Sequence, residues 1–267
     1  QAGYGERGSG QVDDAGLVDD AGLVRLAPNL GWRDVAVPEL LSGHPPLTEQ
    51  VPGIPALVVD NEANLAALGE LHSRPPGPAS FLHISGEVGI GAGIVLDGAL
   101  FRGVRGWSGE IGHLPVHPEG RPCRCGGQGC LEQYAGQEAI VAGAGLVRAE
   151  LPADTATARL AELAEAGDPD ALRALHDAGT ALGVAVAGVV NLLDLDTVVL
   201  GGGYAPLAPW LCPPVLAEIA ARVLTAAWSP VTVRPSTLGP EAAAVGAAGS
   251  VVRRIVARPA GWLNRSG

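Results

Sequence analysis

Residues 110–132 read E-I-G-H-L-P-V-H-P-E-G-R-P-C-R-C-G-G-Q-G-C-L-E, and this stretch decides how the rest of the chain is read. It places His113, Cys123, Cys125 and Cys130 within eighteen residues, in the pattern H-x9-C-x-C-x4-C. Three thiolates and one imidazole make a closed four-ligand set for a structural zinc ion. Gly126, Gly127 and Gly129 let the backbone turn tightly around it. A disulfide is the competing use of these cysteines. A C-x-C pair bonds to itself poorly, however, and three clustered thiols leave one over. His117 is the alternative fourth ligand, in a turn flanked by Pro115 and Pro118. Glu110 and Glu132 are not needed by a metal, which leaves two carboxylates for a polar ligand. The fourth cysteine, Cys212, lies in the apolar run P-W-L-C-P-P and reads as a core thiol.

The chain has 267 residues, 47% of them hydrophobic but only 4% aromatic, so its core must be built from Ala, Val and Leu. A formal net charge of −11 with no basic stripe excludes a DNA-reading surface on this chain itself. Neither a signal-peptide pattern nor an apolar run of membrane-spanning length is present. The expectation is therefore a cytoplasmic protein in a reducing compartment, with no membrane partner. The sequence contains no methionine and opens with a tandem V-D-D-A-G-L-V. We expect an N-terminally truncated protein whose residues 1–16 are poorly ordered or replaced sequence.

Strand–turn–helix units dominate, which makes the class α/β. Strands are expected at 23–26, 54–59, 81–85, 90–96, 99–102, 197–200 and 230–234. Helices are expected at 61–72, 136–149, 155–166, 168–193, 209–226 and from Pro240 onward. Asp168 followed by Pro169 is an N-cap with proline at the first helical position. Two glycine runs stand out, S-G-E-V-G-I-G-A-G-I-V at 85–95 and Gly201-Gly202-Gly203. Their amides could cradle a phosphate, and they could equally form tight turns. D-A-G-T at 177–180 falls inside the long helical pattern and reads as helix surface and core.

Together these segments resemble the ROK family (repressors, open reading frames and sugar kinases). The carrying residues are A-P-N-L-G-W at 27–32, D-N-E-A-N-L-A-A-L-G-E at 60–70, the 85–94 glycine run, W-S-G-E-I-G-H at 107–113 and C-R-C-G-G-Q-G-C-L-E at 123–132. The resemblance covers residues 20 to 257. It implies an actin-like ATPase fold (sugar kinase, ribonuclease H-like) of two lobes with a cleft between them. The small lobe would be 1–79 plus 241–267, lacking its first strands, and the large lobe 80–240 with the zinc loop. It further implies a monosaccharide in the cleft, held by Asn61, Glu62, Glu110, His113 and Glu132, with His113 serving both metal and sugar.

Within that resemblance two activities separate. A ROK kinase resembles N-D-x-N where this chain has Asn61-Glu62-Ala63-Asn64, and the extra methylene displaces the carboxylate that would act as base. Its phosphate loop resembles G-T-G-I-G-G-G, where this chain has Glu87-Val88-Gly89-Ile90-Gly91-Ala92-Gly93. A carboxylate and a lost hydroxyl both oppose a polyphosphate. The D-x-G-x-[ST] hairpin of a kinase's first lobe is absent from the sequence as well. The expectation is a sugar-sensing effector domain of a transcriptional regulator rather than an enzyme, with no catalytic residue. Gly89, Gly91, Gly202 and Gly203 would be non-functional remnants of nucleotide loops. DNA would be reached through a winged helix-turn-helix that this sequence does not contain, in a homodimer or tetramer. The alternative is an ATP-dependent, glucokinase-like sugar kinase.

Overall fold

The computed structural model describes residues 17–18, 23–27, 32–42, 59–73, 79–86, 89–146, 153–257 and 259. Its first sheet is antiparallel, with β1 (Leu17–Val18), β2 (Leu23–Ala27) and β3 (Trp32–Ala36) side by side and α1 (Val37–Ser42) after them. Residues 54–58 of the strand expected at 54–59 and most of the 27–32 segment lie outside the described residues. Next come α2 (Glu62–His72), β4 (Phe81–Gly86), β5 (Ile90–Leu96) and β6 (Ala99–Phe101). Asp97 (φ 49°) and Gly98 (φ 75°) make the tight β5–β6 turn.

The His113–Cys130 segment leads into two short helices, α3 (Glu132–Ala135), which is not expected, and α4 (Gln137–Gly143), which falls within the helix expected near 136–149. Gly136 is extended (ψ 151°) and separates them. Then follow α5 (Ala153–Glu165), α6 (Pro169–Leu193), β7 (Thr197–Gly202), α7 (Ala208–Arg222), β8 (Thr232–Pro235) and α8 (Ala242–Ala257). Asp168 caps α6 as expected, its carboxylate accepting from the amides of Asp170 and Ala171 at 3.0 and 2.9 Å.

The second sheet has the order β6-β5-β4-β7-β8. β4, β5 and β6 form an antiparallel meander, whereas β7 and β8 add in parallel. This is the strand arrangement of the actin-like ATPase fold. The central strand β4 is buried at all six positions because helices cover both faces. On one face Leu82, Ile84, Val198 and Leu200 pack against α6, whose Ala171, Leu175, Ala178, Leu182, Ala185 and Val186 form the buried helical stripe. By length and composition α6 could cross a bilayer, but here it is this core helix. On the other face Phe81, Val95 and Val199 pack against Ala67 of α2, and α8 lies on α2 in turn.

Three details fix α2 in place. Gly91 and Gly93 of β5 face it so closely that a Cβ on either would lie 3.2 Å from the Cβ of Ala63 or 2.4 Å from that of Ala67. Glu70, 1% exposed, receives Arg234 at 3.2 Å, the Ser236 hydroxyl at 2.5 Å and the Thr237 amide at 3.2 Å, which binds the helix end to β8. Gly246 of α8 meets the α2 backbone at Leu65 and Gly69. Gly91 therefore is not part of a glycine loop. It is a strand residue that allows a helix to approach.

Candidate functional site

The site forms at the turn end of the β4–β5 hairpin, where Ser85 pairs with Gly91 and Gly86 with Ile90. Three segments converge there. The first is the start of α2. Asn61 is its N-cap, with the side-chain oxygen accepting the Ala63 amide at 2.9 Å. Glu62 follows, and its Oε1 accepts the Ser85 hydroxyl at 3.4 Å. Burial pushes the Glu62 carboxyl above the ordinary carboxylate range, with the Ser85 hydroxyl opposing.

The second segment is Gly109–His113. Gly109 sits at φ 98°, and a Cβ there would lie 1.8 Å from the Ala92 carbonyl. Gly112 presses on the Ile90 carbonyl in the same way, at 2.5 Å. The Ala92 amide donates to the Gly109 carbonyl at 2.8 Å. The glycines of G-E-I-G-H thus let the segment lie flat on β5 and deliver Glu110 and His113 to the hairpin end. His113 Nε2 stands 4.0 Å from Glu110 Oε2. Burial raises the Glu110 carboxyl, His113 opposes the rise, and the neighbouring Glu132 carboxylate adds to it.

The third segment is α3, which carries Glu132. Its Oε2 accepts the Ile90 amide at 3.4 Å. The Tyr204 hydroxyl donates to the Ala135 carbonyl at 2.7 Å and holds the end of this short helix. Burial, with the Glu132 charge second, drives the Tyr204 hydroxyl strongly upward, so it stays a proton donor. A pocket of about 280 Å³ is lined by Glu132 with Arg121, Arg124, Gln133 and Glu138.

Beneath these acids, one ligand atom from each of His113, Cys123, Cys125 and Cys130 lies within 4.8 Å of the others. The backbone knot around them is self-bonded, with Leu131 donating to Leu114 at 2.9 Å and Cys123 to Gly127 at 3.0 Å. Two observations fit a metal. His113 Nδ1 is buried without a hydrogen-bond partner. Cys125 Sγ and Cys130 Sγ are 3.6 Å apart, close to the separation of about 3.7 Å that two sulfurs take on a tetrahedral zinc. Without a cation, burial drives the Cys130 thiol up to about 12. The cluster could hold a metal ion. His117 stands outside it, its ring edge-on to Tyr134 at 4.6 Å. Cys212 packs half-buried against the core.

The glycine turns close the strand ends on one another. Gly203 donates its amide to the Gly86 carbonyl at 2.9 Å, which ties the ends of β4 and β7 together. The ring of Tyr204 fills the space against Gly86. Beside it remains a cavity of about 10 Å³, room for about one water. Gly202 ends β7 at φ 52°, and Gly89 sits in the bend before β5. Glu87 and Val88 lie outside the described residues.

Sequence reasoning missed four contributors: Ser85, Tyr204, Asp60 and Arg102. Asp60 and Arg102 form an ion pair beside Asn61. No local pattern announces contacts between residues 42 or 69 positions apart.

The sequence model of the ROK family matches residues 5–254. The glucokinase of Halalkalibacterium halodurans is 35% identical over 233 residues, 82% of this chain and 68% of the relative. The xylose repressor of Bacillus subtilis is 28% identical over 253 residues, 94% of this chain but only 62% of the repressor. The solved structure of a ROK family glucokinase from Streptomyces griseus, in complex with glucose and AMPPNP, superposes with a TM-score of 0.74 at 30% identity. That match covers 88% of this chain and 78% of that one. Relatives of both kinds, enzyme and repressor, share this architecture, and the chain belongs to the ROK family.

Proposed function

We propose that this chain is the monosaccharide-binding effector part of a ROK-type transcriptional regulator. The observation that carries the reading is the contrast between two ends of neighbouring turns. Glu62, Glu110, His113 and Glu132 gather around the Ser85–Gly91 hairpin end, while the Gly86–Gly203 closure is filled by Tyr204. Carboxylates accept hydrogen bonds from vicinal hydroxyls, and a metal-fixed imidazole presents one defined nitrogen, so the first set suits a sugar. The metal would be a structural zinc held by His113 Nδ1 and the three thiolates, which orients the loop between Glu110 and Glu132. Glu62 in place of the aspartate of ROK kinases, together with the occupied strand ends, argues against phosphoryl transfer. The sugar would lie in a cleft between a small lobe (1–79 plus 241–267) and the large lobe (80–240). DNA contact would belong to a winged helix-turn-helix outside these residues, and a cytoplasmic homodimer or tetramer would carry the signal.

Titration calorimetry against a monosaccharide panel, paired with an ATP-consumption assay, tests this. Heat with at least one sugar and no sugar- and magnesium-dependent ATP turnover is the expected result. The second reading is a glucokinase-like kinase, favoured by 35% identity to an enzyme of that name. Turnover at ordinary kinase rates would establish it and overturn the first.

A further inference from the structure

We infer that Asp60 and Arg102 are positioning residues for this site: their ion pair holds the start of α2, with Asn61 and Glu62, in register with the loop that delivers Glu110 and His113. The inference rests on the reading of that cluster as a monosaccharide site. The Asp60 side chain is only 5% exposed. It accepts the Asn61 amide at 2.9 Å, the Asn64 amide nitrogen at 3.1 Å and both terminal nitrogens of Arg102, Nη1 at 2.9 Å. A planar guanidinium meeting a carboxylate through two nitrogens fixes orientation as well as distance.

Arg102 stands where β6 ends. Its carbonyl accepts the Ser108 amide at 3.2 Å, and the Ser108 hydroxyl donates to Phe101 at 2.5 Å, so the loop between them is closed at its base. One residue later Gly109 bonds to β5. The loop is thus anchored on β5 at its far end and on α2 at its near end, and Glu110 follows directly. The docking of α2 itself has other supports in Ala63, Ala67, Glu70 and α8. The Asp60–Arg102 pair instead sets the spacing between the two halves of the acid cluster.

The test compares Asp60→Asn, Arg102→Gln, Arg102→Lys and the Asp60→Asn/Arg102→Gln double variant. Binding of D-glucose and D-xylose is measured by calorimetry, and amide hydrogen exchange is followed in the ligand-free chain. Each neutralising single variant is expected to weaken sugar binding about tenfold, the double to be no worse than the weaker single, and Arg102→Lys to recover part of the loss. Exchange should accelerate at residues 103–113 and stay unchanged at 65–72. Unchanged affinity with unchanged exchange at 103–113 overturns the inference, as does acceleration spread equally through α2 and the sheet. If the unaltered chain binds neither these two nor any other sugar of the panel, the reading of the site falls, and the exchange pattern alone upholds or overturns the positioning role.

Discussion

Gly69 and Gly246 meet where α2 crosses α8, and a Cβ on Gly246 would lie 2.8 Å from the Gly69 nitrogen and 1.7 Å from the Leu65 carbonyl. Neither helix has room to yield, because α2 is already pressed on β5 from its other side. Gly246→Ala should therefore lower stability by about 1–3 kcal/mol through overpacking. Urea denaturation checks this, and a midpoint equal to that of the unaltered chain would show that the crossing is looser than the contact implies.

His83 makes stability depend on acid. It is fully buried on β4 with no partner at either ring nitrogen, and burial lowers its pKa to about 4, with Glu70 opposing and Arg234 reinforcing. Unfolded, it titrates near 6.5. Between those values the unfolded chain holds the extra proton, so stability falls as pH drops through that window, by about 3 kcal/mol at pH 4. Glu62 and Glu110, whose carboxyls are raised, act in the opposite sense and gain on protonation. Comparison with His83→Leu isolates the histidine: unfolding midpoints at pH 7 and pH 5 should differ less in the variant. An identical pH slope in both proteins would remove His83 from the account.

The framework was legible where local chemistry is strong. Asp168-Pro169 marked the start of α6, Asp97-Gly98 marked the β5–β6 turn, and the cysteine spacing marked the His113–Cys123–Cys125–Cys130 cluster, which could hold a metal ion. The convergence of Glu62, Glu110 and Glu132 was legible only through family resemblance, since no spacing rule brings Glu62 to Ser85 or Glu132 to the Ile90 amide. For Gly91 the strand expected at 90–96 is found, while its close approach to α2 has no local signal in the sequence. The helix expected near 136–149 begins where α4 does, just after the extended Gly136, whereas the short α3 before it carries no sequence signal. The end of D-N-E-A-N-L-A-A-L-G-E was likewise read as part of one motif. Its first half faces the site, whereas Gly69 and Glu70 hold the helix down.

Glu70 gives a second stability prediction. Its carboxylate is buried and accepts from Arg234, Ser236 and Thr237. Glu70→Ala leaves the guanidinium without its partner, and a loss of about 3–5 kcal/mol is expected. Thermal unfolding reads it directly, and a shift no larger than that of an exposed Glu162→Ala control would contradict the assignment.

Whether the His113–Cys123–Cys125–Cys130 cluster holds zinc can be assayed without a sugar. Elemental analysis of the purified chain should find about one zinc per molecule, and Cys125→Ser should lose most of it. Because ligation and folding are linked, the same substitution should lower the thermal midpoint by about 5–10 °C. A chain free of zinc with an unchanged midpoint would show that the backbone knot is sufficient by itself.

The helix seated on Gly91 and Gly93 alters how mutational scans of such runs must be interpreted. A bulkier residue at either position would lift α2, and Asn61 and Glu62 would move with it. Lost sugar response in such a mutant would then report a dislodged helix rather than a vanished phosphate contact, and inactivity alone could not reveal an ancestral nucleotide grip.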